Sequence, residues 1–245
     1  MEDVSTQLEN AARTAGLRGI RRYTRFLDPA QAAEAARLAR QYGVELSLWG
    51  GYPEAERAVA CFSPQGDAPQ EAEYPIVCLH ARCSQRFFTI THRDLLGAFM
   101  ALGLTRDTVG DIILSDADIY LFAAAATAEF IAGALTSAGR VSLRFEALDE
   151  APPMPPPRGE TFGAVVSSLR LDAVLAAAYH LSRSEAAEAI RAGSVKLNHL
   201  PCERTDAPVT EGVLLSLRGR GRVRLAQIGG TTRKQRIGVT FFRYE

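Results

Sequence analysis

"RLDAVLAAAYHLSRSEAAEAIRAGSVKLNHLP", residues 170–201, reads as two short helices that turn directly into a strand. The helices are "LRLDAVLAAAYH" and "RSEAAEAIRAG", and only "LS" joins them. Ser182 followed by Glu185 has the S-x-x-E spacing of a capping box, in which two side chains satisfy amides left orphaned at a helix start. Ala186, Ala187 and Ile190 then share a face that can meet Leu171, Val174 and Leu175, which leaves Arg183 and Arg191 toward solvent. Gly193 ends the second helix where a positive φ is wanted, and Val195 and Leu197 alternate with Lys196 and Asn198 as a strand. The expected product is a rigid corner that sets Arg170, Arg183, Arg191 and Lys196 near one another.

Guanidinium groups held on such a corner suit phosphate oxygens, because each planar fork is always charged and can bind two oxygens at once. Downstream, "SLRGRGRVRL" adds Arg218, Arg220, Arg222 and Arg224, with glycines between them that let one backbone approach another. The chain as a whole has a formal net charge of zero. That sum hides a division: residues 162–245 carry +6 and residues 1–161 carry −6. An asymmetry of this kind points to one part of a chain meeting a polyanion. A solvated arginine face is the competing reading, since 26 of the 28 basic residues are arginine and alanine is abundant, as a GC-rich genome would produce. Clustered bases on both the corner and the strand favour RNA.

The 245 residues have an ordinary hydrophobic content of 47%, enough to bury a core. No stretch approaches the roughly 18 apolar residues of a membrane span, and "MEDVSTQLENAART" is polar, so the expected location is the cytoplasm. Cys61, Cys78, Cys83 and Cys202 form no CxxC pair and His80 has no second ligand cluster, which leaves reduced, buried thiols and no metal.

"EAPPMPPPRGE" places five prolines between residues 152 and 157, the composition of a semi-rigid spacer. Before it, "PAQAAEAARLARQYG" has helical spacing with Pro29 in the first turn and Gly43 at the stop, and "VELSLWGGYPEAERAVACFS" reads as strand, loop and strand. From residue 75, "PIVCLHA", "HRDLLGAFMALG", "DIILS", "DIYLFAA", "TAEFIAGALTSAG" and "VSLRFEAL" give the order βαββαβ. After the spacer, strands are expected at "SVKLN", "GVLLSLRG", "GRVRLAQIG" and "GVTFFRYE". The expected fold class is therefore α+β: an N-terminal helical and β-hairpin region over 1–74, a ferredoxin-like αβ-plait over 75–150, a proline-rich linker over 151–160, and a basic domain with a C-terminal strand over 161–245.

The run from Arg170 to Pro201, followed by "EGVLLSLRGRGRVRL", resembles the alpha-L RNA-binding motif, the S-four domain named after a small-subunit ribosomal protein. "RLD" opens its first helix, "SR" its second, and "I-R-x-G-x-V-x-[LV]-N" follows; Glu211-Gly212 stands where that family commonly has a Gly-Asp turn. "FLDPAQ", "LSLWGGYPEAERAVACFSP", "THRDLLGAFMALGLTRDTVGDIIL" and "LTSAGRVSLRFE" resemble, in order, the rest of the YlmH family, bacterial proteins encoded beside cell-division genes. The resemblance implies an RNA-binding plait in the middle, no catalysis, no cofactor, and a place on the large ribosomal subunit in ribosome quality control. There the family engages stalled subunits that still carry peptidyl-tRNA. The RNA-contacting residues expected are Arg170, Ser182, Arg183, Arg191, Lys196, Asn198, Arg218, Arg220 and Arg222. The partners expected are large-subunit ribosomal RNA, with tRNA as a further candidate and no membrane, and the chain is expected to act as a monomer.

Three features compete with this reading. "HRDL" at 92–95 imitates a kinase catalytic loop, but Phe99 stands where asparagine is required, and Thr91 with Asp94 reads better as a helix cap that leaves His92 and Arg93 at an exposed edge. Tyr120 and Phe122 share one strand face, as base stacking needs, yet no RNP1 pattern accompanies them and core packing is favoured. In "GGYPEAER", Glu54, Glu56 and Arg57 read as a surface ion-pair cluster. The alternative function is an RNA-modifying enzyme such as a pseudouridine synthase, with Asp172 of "RLD" as its carboxylate. Against it, alpha-L domains usually precede a catalytic domain, and no GxGxxG lies upstream.

Overall fold

A computed structural model describes residues 3–83, 90–115, 117–231 and 235–245. The chain divides into two compact units, Met1–Pro155 and Pro156–Glu245.

The first unit opens with α1 (Val4–Arg18), β1 (Arg22–Leu27), α2 (Pro29–Tyr42), β2 (Glu45–Trp49) and β3 (Ala58–Ser63). Asp28 caps α2: its carboxylate accepts from the Gln31 amide while the Gln31 side chain accepts from the Asp28 amide, each at 2.9 Å. The strands form an antiparallel sheet in the order β1-β3-β2. Leu8, Ala12 and Ala15 of α1 and Ala35, Leu38 and Ala39 of α2 bury one sheet face at Leu27, Ala60 and Phe62. Neither α1 nor β1 was among the expected elements. "RYTRFL" hides its apolar alternation behind two arginines, and only Phe26 and Leu27 are buried.

The plait follows as β4 (Ile76–Arg82), α3 (His92–Ala101), β5 (Val109–Ser115), β6 (Asp118–Ala124), α4 (Ala125–Ala134), β7 (Ser137–Ala138), β8 (Val141–Ser142) and β9 (Glu146–Leu148). The sheet order β5-β6-β4-β9, antiparallel throughout, is the arrangement expected of a split βαβ plait. Thr91 and Asp94 form the expected capping box on α3. Leu95, Phe99, Ala128 and Ile131 of the helices pack on Leu79, Ile112, Ile119 and Leu121. The expected last strand, "VSLRFEAL", is divided: Val141–Ser142 folds back on Ser137–Ala138, and only Glu146–Leu148 joins the sheet beside Cys78–His80.

The other faces of the two sheets share a second core. Phe26, Val59 and Cys61 from the N-terminal sheet meet Tyr74, Cys78 and Phe122, all buried. Tyr52 stacks on Phe122 with ring centroids 4.9 Å apart. The face on which bases would stack is therefore occupied by this chain's own residues, and Phe122 is core, as favoured. "GGYPEAER" is the clasp that holds the arrangement. The Asp111 carboxylate accepts from the Tyr52 hydroxyl at 2.9 Å and from the Glu56 and Arg57 amides at 2.6 and 3.2 Å. The Arg57 guanidinium donates to the carbonyls of Phe26 and Val109 at 3.0 and 3.3 Å. Arg57 is thus a half-buried carbonyl cap, which corrects its expected place in a surface ion-pair cluster. Burial lowers its pKa from the ordinary arginine value, and burial together with the Arg57 charge pushes neighbouring Arg106 down to about 10.

The second unit contains β10 (Gly159–Val166), α5 (Leu171–Tyr179), α6 (Arg183–Arg191), β11 (Val195–Leu197), β12 (Leu200–Pro201), β13 (Leu214–Leu217), β14 (Gly221–Thr231) and β15 (Ile237–Tyr244). They form one antiparallel sheet in the order β10-β15-β14-β13-β11-β12. Val174, Leu175, Ala186 and Ile190 of the helices pack on Val195, Leu215, Val223, Leu225 and Phe241. The Tyr179 hydroxyl lies 3.1 and 3.0 Å from the carbonyls of Leu215 and Gly221, and burial pushes its pKa up to about 12. β10 was not foreseen: it begins at Gly159, inside the expected linker, while Ala151 and Met154 at the linker's other end pack on the first unit's shared core.

Gly51 is held to glycine in the clasp by both backbone and space. Its φ is +99°, and a Cβ there would lie 2.3 Å from the Phe122 ring. Gly51→Ala is expected to destabilise the first unit by about 2–4 kcal/mol through combined backbone strain and overpacking, read as a lowered denaturation midpoint of the full chain.

Candidate nucleic-acid interface

The corner is built by caps at both ends of α6. His180 closes α5 in the left-handed region at φ 53°, and the chain re-enters helix after Leu181 and Ser182. The Ser182 hydroxyl accepts from the Glu185 amide at 3.2 Å, and the Glu185 carboxylate accepts from the Ser182 amide at 2.7 Å. These bonds hold the Glu185 carboxyl below its ordinary range, with the Arg220 charge contributing. At the far end Gly193, at φ 66°, turns the chain into β11, and the Ser194 carbonyl accepts from the Arg218 amide at 3.0 Å. That bond ties the β13–β14 turn to the end of α6.

Asp172 organises the other side of the corner. In the first turn of α5 its side chain is only 11% exposed, and Oδ2 accepts from Arg183 Nη2 at 2.6 Å. Oδ1 accepts from the Ala173 amide at 2.9 Å and lies 3.5 Å from Arg170 Nε. Arg183 also donates from Nη1 to the Ser167 hydroxyl at 3.1 Å. One carboxylate therefore holds two guanidinium groups by one edge, and both side chains remain about half exposed, at 50% and 49%. A guanidinium has five N–H donors, so each keeps directed donors for a phosphate.

The remaining expected residues separate into distinct places. Arg170 and Arg183 meet at the start of α6, whereas Arg191 stands eight residues along the same helix, about 12 Å away at 1.5 Å per residue. Lys196 lies on the sheet, where its register partner is Ser216 and that of Ser216 is Arg222. The expected cluster of four is thus a pair at one end and two outlying cations, because helix rise separates 183 from 191. Arg218 and Arg220 are exposed on the β13–β14 turn, and Arg220 reaches to 3.5 Å from the Tyr179 carbonyl. Ser182 uses its hydroxyl as the helix cap. Asn198 lies beyond β11 at φ 46°, a correction to its expected place in the strand alternation. Its backbone amide donates to Leu214 O at 2.8 Å and its side-chain oxygen accepts from the Leu214 amide at 2.9 Å, closing the β11–β13 connection. Glu211-Gly212 still makes its turn, with Gly212 at φ 84°.

Sequence reading missed two parts of this surface. It took Asp172 only as a helix residue or a rival catalytic group, although an acid at the first turn of one helix and an arginine at the first turn of the next is the signal for a clamp. It also stopped short of Tyr244, whose ring centre lies 5.3 Å from the Arg222 guanidinium and 5.7 Å from that of Arg224. Among the described residues no three His, Cys, Asp or Glu side chains converge as a metal site, and no helix is long and apolar enough to cross a membrane.

Asp172→Ala removes the shared acceptor. Because Arg183 is half exposed and can rehydrate, the expected loss of stability is about 1–3 kcal/mol rather than the larger penalty for a fully buried pair. A double-mutant cycle with Arg183→Ala, followed by urea unfolding, should show strong coupling; additive losses would contradict the clamp. The Glu185 cap supports the fold above the ordinary glutamate pKa and loses that support as pH falls through the lowered folded value. Glu185→Gln should therefore flatten part of the acid limb of the stability–pH curve.

Comparison with known proteins adds the family. Residues 1–64 match the model described as "YlmH, N-terminal", residues 69–151 match "Putative RNA-binding domain in YlmH", and residues 169–215 match "S4 domain". The chain is 38% identical over 221 residues to the Bacillus subtilis (strain 168) protein named ribosome-associated protein quality control protein P2, covering 90% of this chain and 86% of that one. A solved structure titled cell division protein ylmH from Streptococcus pneumoniae is similar in fold, with a TM-score of 0.51 at 20% identity over 59% of this chain and 88% of that one. With three family domains in order and a relative aligned over nearly its whole length, the chain belongs to the YlmH family and carries a C-terminal S4 domain.

Proposed function

We propose that this chain is a non-catalytic RNA-binding protein of the cytoplasm that binds ribosomal RNA on the large subunit, and tRNA held there, in ribosome quality control. The observation that carries the reading is the Arg170–Asp172–Arg183 clamp, which presents two half-exposed guanidinium groups at fixed positions on the corner of an S4 domain. Exposed Arg191, Arg218 and Arg220 extend the positive surface along α6 and the β13–β14 turn, and exposed Lys196 stands on β11. The name of the Bacillus subtilis relative supports the ribosomal setting.

The rival reading, an RNA-modifying enzyme using Asp172, is disfavoured by that carboxylate's position. It is buried, and its oxygens are engaged by Arg183 and the Ala173 amide. Pseudouridine formed on ribosomal RNA by the purified chain and lost in Asp172→Ala would reverse this preference.

Because Arg183 also holds the fold, charge reversal there would mix binding with stability. Arg191→Glu and Arg218→Glu are the cleaner test. The double variant should keep its melting temperature within a few degrees and lose co-sedimentation with large subunits. Unchanged sedimentation at moderate salt would remove the S4 corner from the reading. For the unaltered chain, log affinity should fall with log salt at a slope of about −0.7 to −0.9 per phosphate neutralised, so each removed contact makes it shallower by about one such step.

A further inference from the structure

We infer that the outward face of the C-terminal sheet is a second RNA-binding surface, which takes an unpaired nucleotide with its base against Phe242 and Tyr244 and its phosphates at Arg222, Arg224 and Lys196. The inference rests on the reading of this unit as an RNA binder and adds a site on the side opposite the helices.

Strand alternation defines the face. Val223, Leu225, Val239 and Phe241 point inward to the core under α5 and α6. Arg222, Arg224, Phe242 and Tyr244 therefore point outward. Phe242 and Tyr244 meet edge to face with centroids 5.0 Å apart. The Arg222 and Arg224 guanidinium groups lie 5.3 and 5.7 Å from the Tyr244 ring centre. Gly159 leaves the space for this cluster: a Cβ there would lie 2.7 Å from the Phe242 ring. From Tyr244 the row continues through Arg222 and Ser216 to Lys196, across neighbouring strands. Its length is about 15 Å at three strand spacings.

Charge selects the occupant. No Asp or Glu stands at an outward position in the paired stretches of β10, β11, β13, β14 and β15. Arg243, by contrast, is turned to the inner side, where it donates to Glu160 at 3.0 Å and to the Ala178 carbonyl at 3.1 Å. Half-buried aromatics beside cations, with no acid at the outward paired positions, fit a base stacked on a ring with its phosphates on arginine, the mode in which single strands bind without a fixed sequence. The S4 match over 169–215 leaves out β10, β14 and β15, so the aromatic pair and its two arginines lie outside the matched stretch, while Lys196 lies within it.

The test compares two labelled RNAs on the full chain by fluorescence anisotropy: a short oligoadenylate and a blunt hairpin closed by a non-nucleotide linker, so that all its nucleotides are paired. Tyr244→Ala should weaken oligoadenylate binding about ten-fold, the effect of losing one stacked base, and leave hairpin affinity within about two-fold. Tyr244→Phe should bind like the unaltered chain, because the ring and not the hydroxyl does the stacking. Equal losses on both RNAs, or none on oligoadenylate, would overturn the inference. If Tyr244→Ala fails to fold, Tyr244→Trp decides: its fluorescence should be quenched by oligoadenylate beyond the Trp49 background, and an unquenched signal refutes stacking there. Hairpin binding without oligoadenylate binding by the unaltered chain sinks this inference alone. Absence of binding to either RNA sinks the proposed function as well.

Discussion

A single carboxylate sets the geometry on which the proposed interface depends. Asp172 sits in the first turn of α5, where the helix dipole favours an anion, and it receives Arg183 from the first turn of α6 and lies beside Arg170 at the α5 cap. The bond fixes the two helices at their mouth and takes the freedom out of a long arginine before any ligand arrives. Less ordering is then left to oppose binding, which is the advantage of a preorganised site. The capping box at Ser182 and the turn at Gly193 complete the frame from the two ends of α6. Arginine suits this use because its planar fork can serve a carboxylate on one edge and a phosphate on the other.

Much of the second unit's helical corner was legible because its signals are local. A serine and a glutamate three residues apart predicted the start of α6, and Thr91 with Asp94 did the same for α3. The plait order was legible because strand and helix periods alternate cleanly from residue 76. Features that depend on distant residues were not. Asn198 resembles a strand residue until its partner, the Leu214 amide, is in place. Arg57 resembles a surface charge until the carbonyls of Phe26 and Val109, far away in sequence, surround it. β10 lies next to a proline run, and its reason to be a strand is β15, the last strand described.

The charge division fits this architecture. Acidic and basic residues cancel over the chain, yet the basic excess falls in the unit that carries the S4 domain. Several arginines outside that unit serve the fold: Arg21 bridges Asp67 and Glu73, and Arg57 and Arg106 cap carbonyls. Arginine abundance therefore carries little information by itself. What separates a structural arginine from a candidate phosphate ligand here is whether its donors end on the chain or remain at the surface.

The core shared by the N-terminal sheet and the plait also bears on how the protein is made. Residues 4–63 can finish one core, from Leu8 to Phe62, as soon as they are synthesised. Their second face, at Phe26, Val59 and Cys61, stays uncovered until β4 and β6 deliver Cys78 and Phe122. Some sixty residues of synthesis, from Ser63 to Phe122, separate those events, an interval in which an apolar sheet face is open to wrong partners. Two domains that look separable by sequence thus mature as one body, and the nascent chain carries an incomplete half until the second arrives.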